Sequence, residues 1–275
     1  MQLFAYDDQK KVISASHANK QIDYFCLECA GIVRRRGGIH RHTHFYHLSS
    51  GKSCRQNGKS MEHLQVQFAI RNKISEEECL LEHPFLTINR IADVVWKTKG
   101  IVFEIQCSPI TAQEVKERNQ DYQSQGFRVV WILHDKRFNQ RRLSAAEQFL
   151  LDQPHYFTNM DEEGCGIIYD QHETIGIKRE KLWGPHPIDV AEYKEIQEKD
   201  QSQIKSWLIP RIKREIYFSG DLLSHFLSDP SQFDFIKEEE KPVTFTLRKA
   251  FNVIRHTFIR AYSLFFQVIL ERACK

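Results

Sequence analysis

The chain has 275 residues, 41% hydrophobic and 27% charged, which excludes a disordered polymer and leaves room for two or three compact units. The formal net charge is only +3, but it is uneven: residues 1–59 hold ten Lys/Arg against four Asp/Glu, and residues 241–275 hold seven against one. Basic ends suit a polyanionic partner.

No basic-then-apolar leader opens the sequence, so the protein is expected in the cytoplasm. The longest apolar stretch, FIRAYSLFFQVIL (258–270), is too short for a bilayer span and carries Arg260; peripheral membrane contact stays open. Seven Cys in a reducing compartment point to metal or redox chemistry before structural disulfides.

Residues 1–57, rich in Gly, His, Arg and Cys with short alternating runs, predict a small β-rich module. YFCLECAG places Cys26 and Cys29 in a C-x2-C, and HRHTHFYHLSSGKSC supplies the second half of a ligand set. Tetrahedral Zn²⁺ takes four N or S ligands, often from two short loops. The best set is Cys26, Cys29, His47 and Cys54, with His44 competing for the third place. Such a metal lets a short segment fold without a large core. Between the two halves, RRRGGIHRHTHF holds Arg34, Arg35, Arg36 and Arg41, which suit phosphates as well as they suit a solvated face.

Residues 58–183 change pattern. SMEHLQVQFAIRNKI predicts a helix capped by Ser60, with Glu62 and His63 in its first turn. RIADVVWKTKGIVFEIQ (90–106) predicts two strands joined at Lys97–Gly100. A symmetric hairpin centred there sets Asp93 directly opposite Glu104, where like charges repel. Glu104 and Gln106 share one face of the second strand. A divalent cation between the acids would resolve the repulsion, and Mg²⁺ bound by two carboxylates suits phosphodiester hydrolysis. A solvent-facing polar stripe is the other reading. TAQEVKERNQDYQSQ (111–125) predicts a second helix and FRVVWIL (127–133) a buried strand. Residues 140–183 predict one short helix, then a hairpin around CGIIYDQHETIGIKR. Residues 184–275 read as mostly helical. TFTLRKAFNVIRHTFIRAYSLFFQVIL sets aromatic residues on a basic helical background, for packing or for single-stranded DNA, a recombination partner or a membrane surface.

SMEHL, IADVVW and VFEIQCSPIT, followed by ERNQDYQSQGFRVVWIL and preceded by the Cys pair and His-Phe-x-His, resemble the competence protein CoiA-like family. The resemblance implies an α/β restriction-endonuclease-like core (αβββαβ) of the PD-(D/E)xK type behind the zinc-binding module, and the residue pattern adds an α-helical C-terminal domain. It implies that Asp93 and Glu104 hold Mg²⁺ or Mn²⁺ and that Gln106 stands where Lys is common. Glu62 and His63 match an acidic helix element, and Arg118 with Tyr122 a polar pair on the second helix. Lys at the Gln106 position would bring a positive charge, and Arg118 is the expected substitute. The function implied is a metal-dependent nuclease acting on incoming or single-stranded DNA in natural transformation, alongside recombination or uptake proteins. The alternative is a catalytically inactive DNA-binding recombination accessory protein.

Overall fold

Alternating Val, Ile and aromatic residues on either side of Lys97–Lys99 fold as the predicted hairpin, with Gly100 closing the turn at φ +61°. The structure is a computed structural model and describes residues 1–38, 41–49, 54, 56, 58–175, 178–196 and 205–236. The hairpin belongs to a mixed seven-stranded sheet. In chain order its strands are β6 (Cys79–Phe85), β7 (Arg90–Trp96), β8 (Ile101–Gln106), β9 (Arg128–His134), β10 (His155–Thr158), β11 (Ile168–Ile175) and β12 (Arg179–Pro187). They lie side by side in that order, parallel between β8 and β9 and between β9 and β10, and antiparallel elsewhere.

Helix α1 (Met61–Ile74) and helix α2 (Ala112–Ser124) cover opposite faces of this sheet. Leu64, Val66 and Ile70 of α1 pack in one core with Val94, Phe103, Ile105 and Ile132. Val115 and Tyr122 of α2 pack in the other with Val102, Trp131 and Leu133, joined by Ala146 and Leu150 of α3 (Ala145–Leu150). Val102 falls on one face and Phe103 and Ile105 split from it by the period of two, so β8 is buried on both sides. Each such side chain contributes roughly 1.5–3 kcal/mol. The order of elements from Met61 to His134 is helix, strand, strand, strand, helix, strand, as the sequence predicts.

The N-terminal module is a separate antiparallel sheet, ordered β2-β1-β3-β4-β5, from β1 (Phe4–Tyr6), β2 (Val12–Ser14), β3 (Asp23–Phe25), β4 (Ile32–Gly38) and β5 (Arg41–His47). Its core is small: chiefly Ala5, Tyr24, Val33 and Phe45, beside Cys26 and Cys54. The arginine run lies on β4 and is engaged locally. Arg34 pairs with Asp23, the Arg35 Nε donates to the Ala15 carbonyl at 2.9 Å, and Arg36 lies over the Tyr46 ring.

Residues 184–236 differ from the helical domain expected there. The expected boundary at residue 184 falls inside β12. Beyond it β13 (Asp189–Glu195) pairs antiparallel with β14 (Ile216–Ser219), followed by short helix α5 (Leu222–Ser228), with α4 (Ile209–Ile212) between the strands. AEYKE is rich in helix formers, but Val190, Ile216 and Phe218 bury into the core that α1 covers, and tertiary packing overrides propensity. Met1–Phe233 forms one compact unit; Asp234–Lys275 forms a second, most of which, with the basic aromatic stretch, lies outside the described residues. Among the described residues no helix is long and apolar enough to cross a membrane.

A histidine cluster lies on the outer strands of the large sheet. His172 stacks on His186 with ring centroids 3.8 Å apart, and His225 of α5 meets both edge-on. Burial holds the His172 imidazole down at about 3, against the pull of Asp170. Its proton therefore binds the unfolded chain first, and the stability it contributes is lost as pH falls from its ordinary 6.5 toward 3. At pH 5 that amounts to about 2 kcal/mol. Urea unfolding at pH 7.5 and 5.0 should show the loss in the natural chain and a smaller loss in His172→Phe. Equal losses would acquit His172.

Candidate active site and metal centre

Ser60 caps α1 as predicted, its hydroxyl accepting from the His63 N–H at 3.4 Å. That cap aims His63 at the sheet, and its Nε2 lies 3.0 Å from Asp93 Oδ1. The β7–β8 register pairs Val94 with Phe103 and Val95 with Val102, so Asp93 and Glu104 occupy the next opposing positions, as the sequence reading requires. The ladder itself stops at Val94. Asp93 Oδ2 instead accepts the Ile105 N–H at 2.9 Å.

Both acids are buried and both are engaged. Asp93 Oδ1 meets Lys59 Nζ at 2.9 Å as well as His63. Glu104 Oε2 accepts from Arg118 at 2.6 Å and Oε1 from the Tyr122 hydroxyl at 2.7 Å. Arg118 and Tyr122 reach one carboxylate because they lie four apart on α2. Burial opposes ionisation of Asp93, yet His63 and Lys59 outweigh it and hold the carboxyl well below the usual range. Glu104 is pushed up, by burial first and then by repulsion from Asp93, although Arg118 pulls the other way. Two buried carboxylates on adjacent strands, one of them raised chiefly by burial, are a donor pair that a divalent cation would relieve.

The other predicted residues divide. Glu62 lines the same cleft, but its carboxylate pairs with Lys136 at 3.0 Å. Burial would raise it; its own backbone N–H, the Ser60 hydroxyl and Lys136 hold it at about 2. Gln106 turns its amide onto Ser108, donating to the carbonyl at 2.8 Å and to Oγ at 3.0 Å. Arg118 also pairs with Glu114 at 2.8 Å.

Two residues escaped the sequence reading, Lys59 and Glu82. The β6–β7 register pairs Leu81 with Val94 and His83 with Ala92, which sets Glu82 opposite Asp93 on the other side. Glu82, Asp93 and Glu104 thus form a rank of acids across three adjacent strands. Lys59 Nζ bridges the first two, 3.1 Å from Glu82 Oε1. Counting registers across both hairpins would have found Glu82; nothing local in the sequence marks Lys59. Of these, Lys59 and Asp93 line a cleft of about 410 Å³ together with His63 and Arg118, and Glu28 and Gln56 of the N-terminal segment also contribute to it.

The second constellation is the predicted Cys/His set. The ligand atoms of Cys26, Cys29, His47 and Cys54 all lie within 4.8 Å of one another. Cys26 Sγ and Cys54 Sγ are 3.6 Å apart, and Cys29 Sγ and His47 Nε2 3.4 Å. A tetrahedron built on ordinary Zn–S and Zn–N bonds has edges of about 3.8 and 3.5 Å. The Glu28 and Gly31 N–H groups each point at a Cys sulfur at 3.4 Å, which stabilises thiolate. Without a metal, burial pushes the Cys26 and Cys54 thiols up. The donor set and spacing can hold a metal such as zinc. His44 is buried apart from it, its Nδ1 at 2.9 Å from the His42 carbonyl.

No curated protein and no solved structure matches the chain. A family model described as competence protein CoiA, nuclease-like domain, matches residues 59–211. That span runs from the lysine beside Asp93 to beyond the large sheet and takes in the whole rank of acids. It covers more than half of the residues, and the chain belongs to the competence protein CoiA nuclease-like family.

Proposed function

We propose that this protein is a divalent-metal-dependent deoxyribonuclease, with single-stranded or incoming DNA as substrate and a place in competence, beside recombination or uptake proteins. The observation that carries the reading is a cleft lined by Asp93, Lys59, His63 and Arg118, with Glu104 buried and held by Arg118 and Tyr122, which also line it. The helix, strand, strand, strand, helix, strand order around them accords with a restriction-endonuclease-like core. Asp93 and Glu104 would hold Mg²⁺ or Mn²⁺. When bound, such an ion supplies a water of lowered pKa and charge relief at the phosphate. Arg118 fixes Glu104 in place, and its planar fork donates to anionic oxygen. His63 orients Asp93. Glu62 and Lys136 form a charged rim.

We infer that Cys26, Cys29, His47 and Cys54 hold structural zinc. The β4 arginines would then form part of a basic surface for DNA.

Gln106 and the complete pairing of both acids favour a second reading, a DNA-binding recombination accessory protein without catalysis. Titration of Mg²⁺ and Mn²⁺ against end-labelled single- and double-stranded DNA separates the two. Metal-dependent cleavage, stronger on single strands, is expected. Salt-sensitive binding without cleavage would select the accessory role.

A further inference from the structure

The strand position where a lysine was looked for holds Gln106, and Gln106 spends its amide on Ser108. Arg118, the expected substitute, is shared between Glu104 and Glu114. The cation nearest the first acid comes from elsewhere in the chain. Lys59, in the residues leading into α1, has a side chain only 8% exposed and sets its Nζ 2.9 Å from Asp93 Oδ1 and 3.1 Å from Glu82 Oε1. It also lines the cleft.

We propose that Lys59 is a catalytic residue of this cleft: its ammonium, delivered from the N-terminal end of α1 instead of from β8, contacts a non-bridging oxygen of the scissile phosphate. The inference rests on the nuclease reading above.

Glu82 explains how an ammonium is kept ready there. Its carboxylate is fixed by the Leu3 N–H at 2.6 Å and the Phe4 N–H at 3.3 Å, and its backbone sits at φ +47°. A non-glycine residue in that conformation costs free energy and persists only where its surroundings impose it. Lys59 therefore has two anchors, and only one of them, Asp93, is a proposed metal ligand. Were Asp93 to hold a divalent ion, Glu82 would still keep Lys59 in the cleft, and the ammonium N–H now facing Asp93 would be available to phosphate. An ammonium carries three donors and accepts none. In the hydrolysis, water oxygen forms the new bond to phosphorus and the bond from phosphorus to the leaving sugar oxygen breaks. That oxygen takes up a proton, and the proton lost by water passes to solvent. Lys59 stays protonated and exchanges none.

The test compares the natural chain with Lys59→Met/Glu82→Gln, a pair that leaves no Glu82 carboxylate stranded once the lysine is gone. Lys59→Gln in the natural background is the second variant, for use if the pair does not fold. Cleavage of labelled DNA, DNA affinity and Mn²⁺ affinity by calorimetry are measured on each. Loss of the lysine is expected to lower kcat by about 100-fold with KM little changed, the scale of removing one transition-state donor. Mn²⁺ should bind as tightly or more tightly, because the competing ammonium beside Asp93 is gone. A kcat within about threefold of the Lys59-bearing control would overturn the inference and leave the nuclease reading standing. So would a fall in Mn²⁺ affinity in step with kcat, which would make Lys59 an organiser of ligands only. Failure of the natural chain to cleave with either metal would remove the nuclease reading, and this inference with it.

Discussion

Asp93→Asn and Glu104→Gln should each abolish metal-dependent cleavage, by about 1000-fold or more, while leaving a folded protein. Both substitutions keep shape and remove one negative charge from the pair that would hold the ion. A metal's contribution to the transition state is several kcal/mol, and each 1.4 kcal/mol is about tenfold in rate. The two variants should part company in stability. Asp93→Asn strips the partner from His63 and one of two partners from Lys59, and breaking a buried pair costs roughly 3–5 kcal/mol. Glu104 is different: its carboxyl is raised, so ionisation is unfavourable in the folded state and the stability it costs grows as pH rises from the ordinary carboxylate value through the folded one. Neutralising it at pH 7 offsets part of what is lost with Arg118. Thermal unfolding beside the cleavage assay gives both readings. Equal activity in the natural chain and in Glu104→Gln would take the metal site off β8 altogether.

What could be read in advance depended on whether an interaction was set by short-range geometry. Asp93 and Glu104 were legible because a four-residue connection between matched strands fixes their opposition, and β8 keeps that register. The Cys/His set was legible because ligand spacing in small modules is chemically restricted. Glu82 was hidden because β6 carries Pro84 and turns through Leu86–Ile88 with Asn89 left-handed, a connection that sequence patterning does not announce. Lys59 was hidden for a different reason. It stands among polar linker residues, and its burial arises only when Glu82, fixed by the N-terminal strand, meets Asp93. The β13–β14 pair reads as helix by propensity alone, and only the core that claims Val190 and Phe218 decides for strand.

Removing the metal from the Cys26, Cys29, His47 and Cys54 set should unfold the N-terminal module and impair the cleft with it. The module's own core is a few small and aromatic side chains, too little to offset the ordering of its five strands and their connections. Structural zinc contributes roughly 10–16 kcal/mol in zinc-finger peptides, so an ion held here would decide whether this module folds. The connection to the cleft is short. Cys54 precedes Gln56, whose N–H donates to Glu28 Oε2 at 3.1 Å, and the chain then reaches Lys59. Glu28 lies within the C-x2-C turn itself, so a metal held there would fix both ends of that hydrogen bond. Cys54→Ser should therefore bind less than one equivalent of zinc, expose residues 1–57 to protease, and lower cleavage while the sheet of residues 79–187 stays protected. Metal content by emission spectroscopy and limited proteolysis measure these together. Retention of a full equivalent of zinc with an unchanged digestion pattern would exclude Cys54 as a ligand. Loss of zinc without loss of cleavage would show that Lys59 is placed by Glu82 and the capped start of α1 alone.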